Sequence, residues 1–229
     1  MAPGAGPSRA VASATACAHP ADRVVYAVVT RTRLLLASLS LVLAGCALTG
    51  AGRARDGLPS VVRIESGPSV GSGFFVTDDL IATNVHVLAG ATQARVSSGQ
   101  GAEVAAIVVY VDPDLDFAIL RSAQHGKALR IRTGPIRRGE AIVALGFPQG
   151  RSVVAASTGT VQGLYEMLIV HDALIAAGSS GGPLLDDDGR VLGVNAILTK
   201  RRGDRTNAYD RAIAVNMTPI LQRLGRLAR

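Results

Sequence analysis

The chain has 229 residues, of which 48% are hydrophobic, so one domain or two closely packed halves can bury a sizeable core. Its formal charge is +7, but the basic residues are scattered and only 3% of the chain is aromatic, which argues against a nucleic-acid-binding protein. Both cysteines precede residue 50 and no histidine is followed by glutamate, so the rest of the sequence offers no disulfide, no thiolate metal site and no zinc-protease motif of the usual kind.

The N-terminal segment has the features of an export signal. Arg31-Thr32-Arg33 precedes an apolar run, 34–44, which is shorter than the about 20 residues needed to span a bilayer. The run leads into Leu43-Ala44-Gly45-Cys46, which resembles the lipobox of bacterial lipoproteins. That resemblance implies that Cys46 carries a lipid and becomes the new N-terminus. An ordinary cleaved signal with an incidental cysteine is the alternative.

The remainder of the chain has the pattern of a strand-rich protein. From residue 58 onward, short runs of β-branched residues alternate with turn residues, and a Gly/Pro-rich stretch at 126–139 interrupts them near the middle. Only 218–228 has helical spacing, with Pro219 near its start and one apolar face. We therefore predict an all-β fold of two small barrels followed by a C-terminal helix.

A serine among glycines is the sharpest chemical signal. In Gly178-Ser179-Ser180-Gly181-Gly182, the absence of neighbouring side chains would expose the Ser180 hydroxyl, and successive N–H groups could bind a developing oxyanion. A simple Gly/Ser turn and the G-x-S-x-G elbow of an α/β-hydrolase are the alternatives.

The positions of the four histidines decide between these alternatives. None follows Ser180, which excludes the α/β-hydrolase order, so the base must lie upstream, as in the His, Asp, Ser order of chymotrypsin. His86 directly follows a predicted strand. His19 lies in the leader and His125 in a polar loop, and His171 ends a strand near the serine loop, where a surface or structural role is expected.

Three aspartates are candidates for the acid that orients the histidine. Asp116 directly precedes the apolar strand 117–120 and is therefore expected to be buried near the imidazole. Asp112 and Asp114 flank Pro113 and are interpreted as turn residues.

Four ordered motifs together resemble the trypsin-like HtrA/Deg peptidases. They are the segments 71–76, 81–87, 116–120 and 178–184, and the segment 212–216 is also similar to the end of that protease domain. The likeness covers about residues 58–228. It implies a chymotrypsin-like double β-barrel with the active site in the cleft between barrels, and it implies no cofactor and no metal.

The resemblance also implies a role for each matching residue. Ser180 would be the nucleophile, His86 the general base and acid, and Asp116 the orienting carboxylate, while the N–H groups of Gly178 and Ser180 would form the oxyanion hole. The substrate backbone would pair with the strand around Val194, Asn195 and Ala196.

The first specificity pocket is expected just before the nucleophile. It would be lined by Leu174, Ile175 and Ala176, and no acid lies among them, since the nearest, Asp172, is interpreted as structural. We therefore predict cleavage after small or medium aliphatic residues rather than after Arg or Lys.

Two departures from the family pattern concern the nucleophile loop. Ser179 replaces the usual Asn or Asp, and Ala176-Ala177 replaces a more usual Asn-Pro, so we expect a less preorganised loop. The sequence ends at Arg229, directly after the predicted helix, and we therefore expect no activation by a PDZ domain in cis.

The sequence thus predicts an exported serine endopeptidase with three parts. These are a leader over 1–46, a tether over 47–58 and a protease domain over 59–229, with an N-barrel at about 59–125, a C-barrel at about 126–216 and a helix at 218–228. The expected partners are unfolded or extended cell-envelope polypeptides and a membrane, through the lipid on Cys46. Family resemblance allows a trimer. The alternatives are a catalytically weak or inactive peptide-binding lipoprotein of the same fold, and a serine esterase at the same site.

Overall fold

The computed structural model describes residues 56–98, 101–197 and 212–227, which belong to one compact unit, 47–229. The first six strands form a closed antiparallel barrel in the order β1-β2-β3-β6-β5-β4. Their bounds are β1 Val61–Ser66, β2 Ser69–Phe75, β3 Leu80–Thr83, β4 Gln93–Ser97, β5 Val104–Asp112 and β6 Phe117–Ser122. One short helix, α1 (Val85–Leu88), connects β3 to β4.

The next six strands form a second closed antiparallel barrel, in the order β10-β11-β12-β9-β8-β7. Their bounds are β7 Ala141–Gly146, β8 Ala155–Tyr165, β9 Leu168–His171, β10 Pro183–Asp186, β11 Val191–Ile197 and β12 Ala212–Asn216. The predicted all-β, double-barrel architecture is therefore confirmed. In the described part of the chain, no helix has both the length and the hydropathy that crossing a membrane requires.

The predicted C-terminal helix is present as α2, Met217–Leu227, and begins one residue before its predicted start. The side-chain Oδ1 of Asn216 accepts a hydrogen bond from Thr218 N at 3.0 Å, which satisfies one of the free N–H groups at the helix start. Met217 and Ile220 are buried in the core, so apolar packing also anchors this first turn.

The few aromatic side chains of the chain are concentrated where the two barrels meet. The interior of the second barrel is aliphatic and that of the first holds one ring, Phe75, whereas Phe74, Phe117 and Phe147 lie in a third buried cluster that contains residues of both barrels. All three rings are at most 1% exposed. Burial of such rings stabilises a protein by about 1.5–3 kcal/mol each, so this cluster fixes the first barrel against the second. It therefore also fixes the relative position of site residues that come from different barrels.

Candidate active site

Two predicted site residues of the first barrel, His86 and Asp116, form a close pair. The ring Nδ1 of His86, in α1, lies 2.6 Å from Oδ2 of Asp116. The backbone N–H of His86 donates to Oδ1 of the same carboxylate at 3.0 Å. One carboxylate thus contacts both the ring and the main chain of the histidine, which fixes the ring orientation.

The turn that carries Asp116 is held from both sides. Asp116 has a φ of 50°, a left-handed conformation that is uncommon for a residue with a side chain. Its carbonyl accepts hydrogen bonds from Asn84 Nδ2 at 2.9 Å and from Val85 N at 3.3 Å. These contacts join the turn before β6 to the start of α1, and so bring the acid to the histidine.

The two other candidate acids have the turn roles that the sequence predicted. Asp112 ends β5, is buried and accepts a hydrogen bond from Leu115 N at 3.3 Å, which shapes the turn that follows. Asp114 is exposed in that turn.

The expectation that Asp116 would be buried is wrong. Its side chain is 36% exposed, and that of His86 is 50% exposed. The physical reason is that Asp116 lies in the turn that precedes β6, at the end of the barrel, rather than under a strand.

Ser180 lies in a loop of the second barrel that is bonded to both barrels. Its carbonyl accepts a hydrogen bond from Ser72 N in β2 at 2.8 Å, and the next N–H, that of Gly181, donates to Asn195 O in β11 at 2.8 Å. Gly181 has a φ of 88°, and a Cβ there would lie 2.0 Å from Ser72 O, so only glycine allows this approach. Ser180 is 6% exposed, and its hydroxyl makes no hydrogen bond to His86 among the described residues.

The backbone next to Ser180 has two free donors. Gly178 has a φ of 92°, and the preceding carbonyl, Ala177 O, accepts a hydrogen bond from Gln149 N at 2.5 Å. In a trans peptide the C=O and the following N–H point in opposite directions, so this bond turns the Gly178 N–H away from Gln149. Over the ranges that the structure describes, the N–H groups of Gly178 and Ser180 donate to no acceptor. They have the freedom that an oxyanion hole requires.

Sequence reasoning missed the side chain that braces this loop, Ser72. Its hydroxyl donates to Gly178 O at 2.6 Å and accepts a hydrogen bond from Phe147 N at 2.9 Å. The sequence signal for this role is the pair of glycines that flank the serine, Gly71 and Gly73, since glycine on both sides allows other segments to pack closely. A Cβ on either glycine would lie within 2.7 Å of neighbouring side-chain atoms.

The predicted substrate-pairing strand needs a correction at two positions. Val194 has a paired strand on each side. Asn195 donates its N–H to Gly182 O and accepts a hydrogen bond from Gly181 N, both at 2.8 Å. The backbones of Val194 and Asn195 therefore cannot pair with a substrate.

Beyond Asn195, no strand among the described residues pairs with β11 on its β10 side. The neighbouring strand β10 begins at Pro183, opposite Val194, so it does not extend alongside Ala196 and Ile197. Backbone groups of successive residues point to alternate edges of a strand. Since those of Asn195 point toward β10, those of Ile197 point to the same side, where no described strand pairs with them.

The predicted pocket segment, 174–176, carries no charge. Leu174 is 85% exposed, whereas Ile175 packs against the aliphatic core of the second barrel. All three residues border a cavity of about 130 Å³, and none of the described residues that line it is charged. Ser179 lines this cavity, but neither Ser180 nor His86 does, so it lies beside the candidate catalytic residues rather than between them.

The polar residues at the end of β9 have structural environments. Asp172 accepts hydrogen bonds from Thr160 N at 2.6 Å and from Gln162 Nε2 at 2.7 Å, and the Thr160 bond is the main reason that its pKa is lowered. His171 is 2% exposed, and burial lowers its pKa to about 4. His125 is exposed, as expected for a loop residue, and its Nδ1 lies 3.5 Å from Oδ2 of Asp78.

Three adjacent carboxylates, Asp186, Asp187 and Asp188, are close enough to share a cation. Two of them already bind Arg190, with Asp186 Oδ2 2.9 Å from Nε and Asp188 Oδ2 2.8 Å from a terminal nitrogen. Arg190 thus offsets part of the negative charge of this cluster.

Comparison with known proteins gives consistent similarities. Residues 71–194, more than half of the chain, match the family described as a trypsin-like peptidase domain. A DegP-like protein of Bartonella henselae, named a probable periplasmic serine endoprotease, is 32% identical in an alignment 165 residues long that covers 67% of this chain and 33% of that protein. Serine protease HTR4 of Rattus norvegicus is 38% identical over 144 residues, 56% of this chain and 30% of that protein. The chain spans about a third of the length of these curated relatives.

Solved structures of the Rv3671c protease have a similar fold. The inactive form is 27% identical with a TM-score of 0.66, and the match covers 80% of this chain and 96% of that chain. The active form, from M. tuberculosis, is 26% identical with a TM-score of 0.67, over 78% of this chain and 85% of that chain. The predicted resemblance to HtrA/Deg peptidases is therefore confirmed. The predicted leader and Cys46 lie outside the described residues.

Proposed function

The chain belongs to the trypsin-like peptidase domain family, and from that premise we propose that it is a serine endopeptidase that hydrolyses peptide bonds through an acyl-enzyme. The observation that carries the proposal is the double contact of Asp116 with His86, through the ring at 2.6 Å and the backbone at 3.0 Å. A carboxylate on Nδ1 keeps the proton there and leaves Nε2 free to act as a base.

The chemical steps follow from this arrangement. Ser180 Oγ attacks the carbonyl carbon of the scissile peptide while His86 Nε2 takes the hydroxyl proton, and Asp116 stabilises the imidazolium that forms. His86 then gives the proton to the leaving amine as the C–N bond breaks. Water deacylates the enzyme by the same route, so the side chains supply all of this chemistry without a cofactor.

The negative charge that develops on the substrate oxygen would be bound by the N–H groups of Gly178 and Ser180. Their freedom from acceptors within the described residues supports this role. One such donor contributes roughly 3–4 kcal/mol to barrier lowering in comparable sites.

We infer that an extended polypeptide pairs with the edge of β11 beyond Asn195, which no described strand occupies, with the backbone of Ile197 as its first partner. The side chain before the cleaved bond would contact Leu174, Ile175 and Ala176. Because these residues carry no charge, we expect aliphatic side chains at that position. A peptide-library digest that favours arginine or lysine there would contradict this specificity.

The proposed setting is the cell envelope. The signal pattern of residues 1–46 supports export, and the DegP-like relative of Bartonella henselae is named periplasmic. We propose that a lipid on Cys46 anchors the protein to a membrane, that unfolded or extended envelope polypeptides are its substrates, and that a trimer is its assembly. Labelled fatty acid should enter the wild-type chain but not Cys46→Ala in cells.

A fluorophosphonate probe tests the catalytic proposal directly. The wild-type chain should be labelled covalently and Ser180→Ala should not, because the probe reacts only with an activated serine. Ser179→Ala is the matched control, since it removes the adjacent hydroxyl and leaves the proposed nucleophile in place. Equal labelling of the wild type and Ser180→Ala would refute the assignment of the nucleophile.

A second candidate function is a peptide-binding lipoprotein that is weakly active or inactive. The observation in its favour is that the hydroxyl of Ser180 makes no hydrogen bond to His86 among the described residues. Hydrogen bonds of this kind often tighten only when a substrate binds, so we favour the enzyme. Peptide binding without probe labelling or hydrolysis would select the second candidate.

A further inference from the structure

Ser72 joins the first barrel to the nucleophile loop of the second. It lies in β2 and is fully buried, at 0% exposure. Its hydroxyl donates to Gly178 O at 2.6 Å and accepts from Phe147 N at 2.9 Å, and its backbone N–H donates to Ser180 O at 2.8 Å. The hydroxyl thus donates one hydrogen bond and accepts another, and both partners belong to segments beside the candidate oxyanion hole.

The loop holds only part of its own shape, through a turn in which Ser179 N donates to Ala176 O at 2.9 Å. Gly178, with a φ of 92°, is a glycine that can adopt many backbone conformations. The residue before it, Ala177, lacks the ring of a proline. The hydroxyl of Ser179 accepts only a long hydrogen bond, 3.5 Å, from Ala176 N. Contacts from outside the loop therefore add to the restraint that this turn supplies.

Two outside contacts hold the two peptide units on either side of the Gly178 Cα. Gln149 N binds Ala177 O, the carbonyl of the first unit, and the Ser72 hydroxyl binds Gly178 O, the carbonyl of the second. With both carbonyls fixed, the dihedral angles of Gly178 are fixed, and so is the direction of its free N–H. Without the hydroxyl, Gly178 O would lose its partner and Phe147 N would be left unsatisfied beside it.

We propose that Ser72 is a positioning residue of the oxyanion hole, which acts by holding Gly178 O so that the Gly178 N–H stays directed at the substrate oxygen. This inference rests on the proposed peptidase function. In this role the first barrel helps to preorganise the oxyanion hole, although both N–H donors of the hole belong to the second barrel. Together with the hydrogen bond from Ser179 N to Ala176 O, this role also explains how a loop without the usual Asn-Pro keeps a defined conformation.

The test compares Ser72→Ala with Ser122→Ala in the full chain. Ser122 is the matched control, because it is also a buried serine of the first barrel whose hydroxyl accepts a backbone N–H, that of Gln124, at 3.0 Å. The measurements are kcat and KM on an aliphatic peptide substrate, the inhibition constant of a peptide aldehyde, and amide hydrogen exchange of the peptide that covers 176–181. The aldehyde forms a tetrahedral adduct whose oxygen needs the same hole.

We expect Ser72→Ala to lower kcat by roughly tenfold or more with little change in KM. The inhibition constant of the peptide aldehyde should rise by a similar factor. Exchange across 176–181 should rise. Ser122→Ala should leave all three measurements close to those of the wild type. Equal kcat values, aldehyde affinities and loop exchange for the two variants would overturn the proposal.

A failure of the underlying function gives a different result. In that case neither the wild type nor Ser180→Ala hydrolyses the peptide or binds the aldehyde. Hydrogen exchange still decides whether Ser72 holds the loop: faster exchange across 176–181 only in Ser72→Ala supports the positioning role, and unchanged exchange refutes it.

Discussion

The ring Nδ1 of His86 lies 2.6 Å from Oδ2 of Asp116, while the backbone N–H of His86 binds the other oxygen at 3.0 Å. Two contacts from one residue thus hold both oxygens of the carboxylate against His86. The backbone contact does not depend on the protonation of the ring, so it orients the acid before any proton moves. The pair is therefore preorganised even though both side chains are partly exposed to solvent.

Asp116→Asn should abolish most of the activity without unfolding the protein. The amide can keep the backbone contact, but its NH2 group would donate to Nδ1 and move the ring proton to Nε2, where no base is left. We expect kcat to fall by about 10³–10⁴-fold. Steady-state kinetics and thermal unfolding measure the two effects separately.

Asp114→Asn is the control for this prediction. Asp114 is exposed two residues earlier in the same turn, so its substitution should leave both kcat and the unfolding temperature close to those of the wild type. A kcat for Asp116→Asn within tenfold of the wild-type value would contradict the role assigned to Asp116.

Gly178→Ala should damage the oxyanion hole by a steric route. A Cβ at this position would lie 2.4 Å from Phe147 O, and the φ of 92° is unfavourable for alanine. The loop must then shift, and the displaced N–H should lower kcat/KM by roughly 10²-fold or more. Gly134→Ala is the matched control, because a Cβ there meets no atom within 4 Å. Wild-type activity in Gly178→Ala would show that this N–H has no part in the reaction.

The catalytic candidates can be proposed from the sequence because each of them lies within a local motif. His86 follows a strand, Asp116 precedes one and Ser180 sits among glycines, and each of these contexts can be recognised within a few residues. The alternation of β-branched and turn residues likewise predicts the two barrels. The order of the three candidates along the chain then excludes competing hydrolase folds.

The features that sequence reasoning missed depend on contacts between distant segments. Ser72 and Gly178 are 106 residues apart, and only the packing of the two barrels brings them together. The occupied backbone of Asn195 depends on where β10 begins, and the exposure of Asp116 depends on the turn that carries it. Local patterns do not determine any of these three features.

Acid should destabilise the protein through His171, which lies inside the second barrel at 2% exposure. Neither ring nitrogen makes a hydrogen bond of good geometry among the described residues, and burial lowers the pKa to about 4 from an ordinary 6.5. The backbone of Ile213 and the carboxylate of Asp172 offset only part of this effect. As the pH falls from 6.5 toward 4, the unfolded chain binds a proton that the folded chain does not, so the free energy of unfolding decreases by up to about 3 kcal/mol. Denaturant unfolding at pH 7 and pH 4 should show a smaller loss in His171→Leu than in the wild type, because only the loss from carboxylates with lowered pKa values, such as Glu65 and Glu140, then remains. His125→Leu, at an exposed loop position, should lose stability as the wild type does. An equal loss in His171→Leu and the wild type would mean that the acid sensitivity arises elsewhere.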